Sequence, residues 1–67
     1  MIDIGQATRE TREDMGLSIY QLEILSGVDH SLIQRYESGK VLPGIQKLIL
    51  LANALDTPID DYIGRRI

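Results

Sequence analysis

Four polar residues of different chemistry cluster near the middle of the chain: His30, Ser31, Gln34 and Arg35. On a helix, 30 and 34 lie one turn apart, as do 31 and 35, so the four share a side while Ile33 and Tyr36 turn inward. Their groups fit base edges in a DNA major groove: guanidinium to guanine O6 and N7, carboxamide to adenine N6 and N7, imidazole or hydroxyl to either. An ordinary solvated helix face carries the same pattern, so spacing alone leaves both readings open. Catalysis has less support. His30 is the only histidine and cysteine is absent, which argues against a metal centre or a thiol nucleophile. No acid and base stand in a recognisable catalytic frame, so no enzyme, cofactor or metal is expected. Gly39-Lys40 is not a nucleotide-phosphate loop, because the glycine spacing and the preceding strand are missing.

The elements that must position these residues are legible from Leu17 to Lys40. Ser18 can cap a helix over about 19–26, in which Leu22 and Leu25 are expected to share a face, and Gly27 closes it. Asp29 can cap a second helix over about 30–38, with Gly39 at its end. So short a turn makes the helices meet steeply and lets the second project. Before them, a helix over about 4–15 is expected, with Asp3 as a candidate cap and Ile4, Thr8, Thr11 and Met15 facing inward. After them, Pro43-Gly44 opens a helix over about 45–55 whose core stripe is Leu48, Leu51, Ala52 and Leu55. A short fifth helix over about 59–63 is expected to pack Ile59, Tyr62 and Ile63. The reading is an all-α bundle of five short helices, a single domain over residues 1–67.

Charge is the feature that fits least well. The formal net charge is −3 and the sequence pI is about 4.8, whereas nucleic-acid-binding domains are often basic. No acid stands between Ser38 and Leu55, however, and Lys40 and Lys47 lie in that window. A locally positive face on an acidic body can still engage phosphate; the alternative is that these are ordinary surface lysines. The longest apolar run, 45–55, is broken by Gln46, Lys47 and Asn53 and is too short to span a bilayer. With no secretion signal and no cysteine, a cytoplasmic protein is expected.

Leu17-Ser18, Leu22, Gly27-Val28, Ile33, Glu37 and Gly39-Lys40 resemble the signature of the phage repressor and Cro type of helix-turn-helix domain, the XRE family. Arg12 and Gly16 before it, and Pro43, Leu48, Leu51-Ala52, Leu55 and Ile59 after it, extend the resemblance over roughly residues 4–63. The resemblance implies a lambda-repressor-like fold and a small transcriptional regulator that binds double-stranded DNA. It further implies a repressor acting by occupancy of a pseudo-palindromic operator, as a homodimer through the fourth and fifth helices. Matched residue by residue, it makes His30, Ser31, Gln34 and Arg35 the base readers. Ser18, Ile19, Lys40, Gly44 and Lys47 become the phosphate contacts, Ile19 through backbone amide alone because the family often has glutamine there. It pairs Arg12 with Glu37 as a structural clip; the alternative is a solvated Arg12 beside Glu13 or Asp14.

Three departures from the family pattern stand out. Thr8 and Thr11 replace larger aliphatics, so the first helix should stabilise the core less. Glu23 replaces a small residue and is expected to reach solvent or pair with a cation such as Arg35. Ile19, Tyr20 and Ile24, with an exposed Leu32 and Leu50, offer more apolar surface than the motif needs. They carry the rival reading: a protein-interaction module or antitoxin of the same fold.

Overall fold

The computed structural model describes residues 4–57, which form four helices: α1 (Ile4–Asp14), α2 (Ile19–Ser26), α3 (His30–Glu37) and α4 (Ile45–Ala54). No strand occurs among the described residues. The expected fifth helix at 59–63 and the Asp3 cap lie outside them.

The two central helices start where their caps dictate. Ser18 Oγ accepts from the Gln21 amide at 3.0 Å, and Gln21 Oε1 accepts from the Ser18 amide at 2.8 Å, a reciprocal box that fixes the first turn of α2. Gly27 ends α2 in the left-handed region (φ 77°) and donates its amide to the Glu23 carbonyl at 2.8 Å. Val28 drops into the core from the turn, and Asp29 accepts from the Ser31 amide at 3.0 Å to open α3.

Leu22, Val28, Ile33, Tyr36, Leu48, Leu51, Ala52 and Leu55 form the buried core. α1 packs on α3, and α2 packs on both α3 and α4. The buried residues of α1 are Gly5, Thr8 and Arg12, with Ile4 and Ala7 partly buried against the core. The Thr8 hydroxyl is satisfied by the Ile4 carbonyl at 2.8 Å, which removes the main cost of burying it.

Four expectations about facing are corrected. Met15 is exposed, because α1 stops at Asp14 and the chain turns at Gly16, bringing Leu17 onto the core instead. Thr11 is only partly buried. Leu25 is 56% exposed, and Ser26 takes the inward position one turn after Leu22, its hydroxyl accepting from the Val28 amide. The core stripe of α2 therefore runs through 19, 22 and 26, as a 3.6-residue period allows. Leu32, expected to be exposed, packs partly buried against the core.

Candidate nucleic-acid interface

α3 has one face locked and one face free. Ile33 is fully buried and Tyr36 nearly so, while Ser31, Gln34 and Arg35 are exposed. The locked face is held to α1 in two ways. Arg12 Nε and Nη2 donate to the Glu37 carboxylate at 2.8 and 3.0 Å, and Nη1 donates to the Leu17 carbonyl at 2.7 Å. Both side chains are about nine-tenths buried, at 11% and 7% exposure, so the pair is a true internal clip. Bonding to Glu37 raises the Arg12 pKa against the lowering effect of burial. Beside the clip, α1 crosses the end of α3 so closely that a Cβ on Gly5 would stand 2.2 Å from the Tyr36 carbonyl oxygen. Only glycine allows that approach.

The start of α3 is held by carboxylates. Ser31 donates both its amide and its hydroxyl to Asp29, and these bonds, the hydroxyl's first, hold the Asp29 carboxyl below its ordinary pKa. Glu23 does not reach Arg35. Its carboxylate accepts from the His30 amide at 3.3 Å and lies 3.4–3.5 Å from His30 Nδ1. The reason is the tight turn: it sets the first residue of α3 against the last turn of α2, whereas Arg35 lies five residues further, roughly 7.5 Å of helix rise. The Tyr20 ring packs on the His30 ring with centroids 4.7 Å apart. His30 is thus half-buried and turned toward α2, apart from the exposed row of Ser31, Gln34 and Arg35. Ligand atoms of Glu23, Asp29 and His30 lie within 4.8 Å of one another, a grouping that the capping of α3 accounts for.

Two shallow concavities flank the free face. One is lined by Ser31, Gln34, Arg35, Ser38 and Lys40, the other by Arg9, Arg12, Ile19, Gln34, Glu37 and Ser38. Gln34 and Ser38 form the ridge between them.

The remaining site residues are dispersed around this ridge. The Ser18 hydroxyl and amide are consumed by the capping box, leaving the Ile19 and Tyr20 amides as the open donors of the α2 start. The Ile19 side chain packs against the core, which corrects its reading as a free partner surface; Tyr20 and Ile24 stand out, with Leu25 beside them. Gly44 caps α4 without a side-chain bond. Lys47 is exposed on the first turn of α4 and lines neither concavity. Sequence reasoning passed over Arg9 and Gly5. Arg9 stands three residues before Arg12, a spacing that places the two on neighbouring faces. The need for a glycine at position 5 arises only from the crossing of α1 over α3.

Comparison with known proteins gives consistent matches. Residues 9–62 match the model of the helix-turn-helix family. A candidate HTH-type transcriptional regulatory protein of Pyrococcus furiosus is 36% identical over 55 residues, covering 82% of this chain and 18% of that protein. A like-named protein of Methanocaldococcus jannaschii is 31% identical over 55 residues, covering 82% and 17%. The chain therefore spans under a fifth of the length of these archaeal relatives. Among solved structures, the restriction-modification controller protein C.AhdI of Aeromonas hydrophila superposes with a TM-score of 0.87 at 34% identity, covering 92% of this chain and 94% of that one.

Proposed function

The chain belongs to the helix-turn-helix family of phage repressor and Cro type, a family of DNA-binding regulators rather than enzymes, and we propose that it represses transcription by occupying a pseudo-palindromic operator as a homodimer. One observation carries the reading: α3 presents Ser31, Gln34 and Arg35 to solvent while its opposite face is fixed by Ile33, Tyr36 and the Arg12–Glu37 clip. A rigid helix with a free polar row is what major-groove reading requires. Gln34 and Arg35 read base edges, Ser31 assists while capped on Asp29, and His30 stands at the rim beside Tyr20 and Glu23. The Ile19 amide at the α2 start after Ser18, with Lys40, Gly44 and Lys47, holds the phosphates. The likeness to C.AhdI supports a regulator of the controller kind.

The dimer contact belongs to α4 and the loop before it, where Leu42, Ile45 and Ile49 are 74%, 62% and 44% exposed. Apolar surface of this extent on so small a body favours a partner. The test is selection from a random duplex pool. An inverted repeat is expected, with half-sites about 34–36 Å apart. Gln34→Ala or Arg35→Ala should each relax preference at one base, at about 1–3 kcal/mol. No enrichment from a folded protein would overturn the reading. A second reading, a protein-interaction module or antitoxin, is favoured by Ile24 at 80% and Tyr20 at 63% exposure, and co-purification of a partner through them would support it.

A further inference from the structure

We infer that the concavity lined by Arg9, Ile19, Gln34 and Ser38 is a seat for a DNA phosphodiester, with the Arg9 guanidinium as its cation. The inference rests on the DNA-binding reading and adds a residue to it. Three cationic or apolar side chains decide the matter.

Ile19 begins α2 with an apolar side chain that packs on the core, so on this flank it offers its backbone amide but no side-chain cation. Arg12 lines the same concavity but spends its donors on Glu37 and Leu17. Arg9 is different. Its side chain is 62% exposed and, among the described residues, makes one polar contact, Nε to Glu13 at 3.3 Å, with a partner that is itself 54% exposed. An exposed i,i+4 pair of this kind contributes little, so exchanging Glu13 for a phosphate oxygen costs little. The Glu37 carboxylate also lines the concavity, but it is 7% exposed and neutralised by two bonds from Arg12. Gln34 and Ser38 add an amide and a hydroxyl at the ridge.

The far side of that ridge already holds Arg35 and Lys40. With Arg9, the free face of α3 has a cation on each flank. A helix lying in the major groove has a phosphate strand on each flank, so Arg9 fixes the orientation of α3 without reading sequence.

The test measures affinity against salt, from about 50 to 300 mM, for a duplex carrying the selected operator and for a scrambled duplex. Arg9→Ala should lower the slope of log K against log salt by about 0.9 and weaken binding about eightfold at 0.1 M, equally on both duplexes. Arg9→Lys should keep the slope, and Glu13→Gln should bind as tightly as the parent or more so. A thermal melt of each variant separates this from a structural role, which would move Tm and leave the slope alone. An unchanged slope for Arg9→Ala, with the parent protein still binding, overturns the phosphate seat only. A parent protein that binds neither duplex overturns this inference together with the DNA-binding reading.

Discussion

Arg12 and Glu37 show what one buried ion pair does for a small bundle. The guanidinium satisfies both carboxylate oxygens and the Leu17 carbonyl, and both side chains are about nine-tenths buried. Removing Arg12 strands a buried carboxylate, at about 3–5 kcal/mol. A chain of this size has about 3–10 kcal/mol of total stability, so Arg12→Ala should come close to unfolding at 37 °C. Arg12→Lys, with a point charge in place of a fork, should fall between that variant and the parent. Urea or thermal unfolding checks both, and an unaltered Tm for Arg12→Ala would remove the clip from the account. Asp29 makes a different prediction. Its folded pKa lies below its ordinary value because Ser31 donates to the charged form. Its contribution is therefore complete above about pH 5 and is lost as pH falls through the folded value. Against Asp29→Asn, the parent should lose its stability advantage below about pH 4, read from melts across pH 2–7.

At the scale of elements, the position of α3 depends on how closely α1 can cross it. Alanine at position 5 would gain about 1 kcal/mol of helix propensity. Its Cβ would also stand 2.2 Å from the Tyr36 carbonyl and 3.2 Å from that of Glu37, both backbone atoms that no rotamer change can move. Overpacking of this kind costs about 1–3 kcal/mol, so the clash outweighs the propensity. Gly5→Ala should lower Tm and weaken operator binding together, since the shift falls on α3. A variant with raised Tm would show that α1 can move away without loss. The caps belong to this scale as well. Ser18→Ala removes one half of the α2 box and should cost about 1 kcal/mol by chemical denaturation.

For the whole molecule, charge distribution and the proposed dimer set the expected behaviour. A net charge of −3 does not oppose binding if the acids lie away from the face that meets DNA. The cations Arg35 and Lys40 share one concavity with Gln34, and the nearest carboxylate on α3, Glu37, is buried in its pair. Two copies joined through α4 would read two half-sites at once. Ile45→Asp, at a position 62% exposed, should leave the fold intact and give a monomer by analytical ultracentrifugation. Its operator affinity should fall about 10²–10⁴-fold as the linked second half-site is lost. A variant that remains dimeric would move the interface off α4.

The sequence by itself determined the local framework: the Ser18 and Asp29 caps, the Gly27 stop, the inward Leu22, Ile33 and Tyr36, and the α4 stripe. These follow from short-range hydrogen bonding and helical period, which a neighbouring stretch of sequence contains in full. It misplaced Met15 because α1 stops one residue short of it, and Leu25 and Leu32 because period gives the spacing of a buried stripe but not its rotation about the helix axis. That angle is set by the helices packed on either side. The joining of Arg12 to Glu37 across 25 residues came with a family resemblance, not from spacing. Only the tertiary structure decided that Glu23 and Tyr20 hold His30, that Gly5 must be glycine, and that Arg9 shares a concavity with Gln34. Each joins groups on different helices, so its geometry depends on how those helices pack and cross.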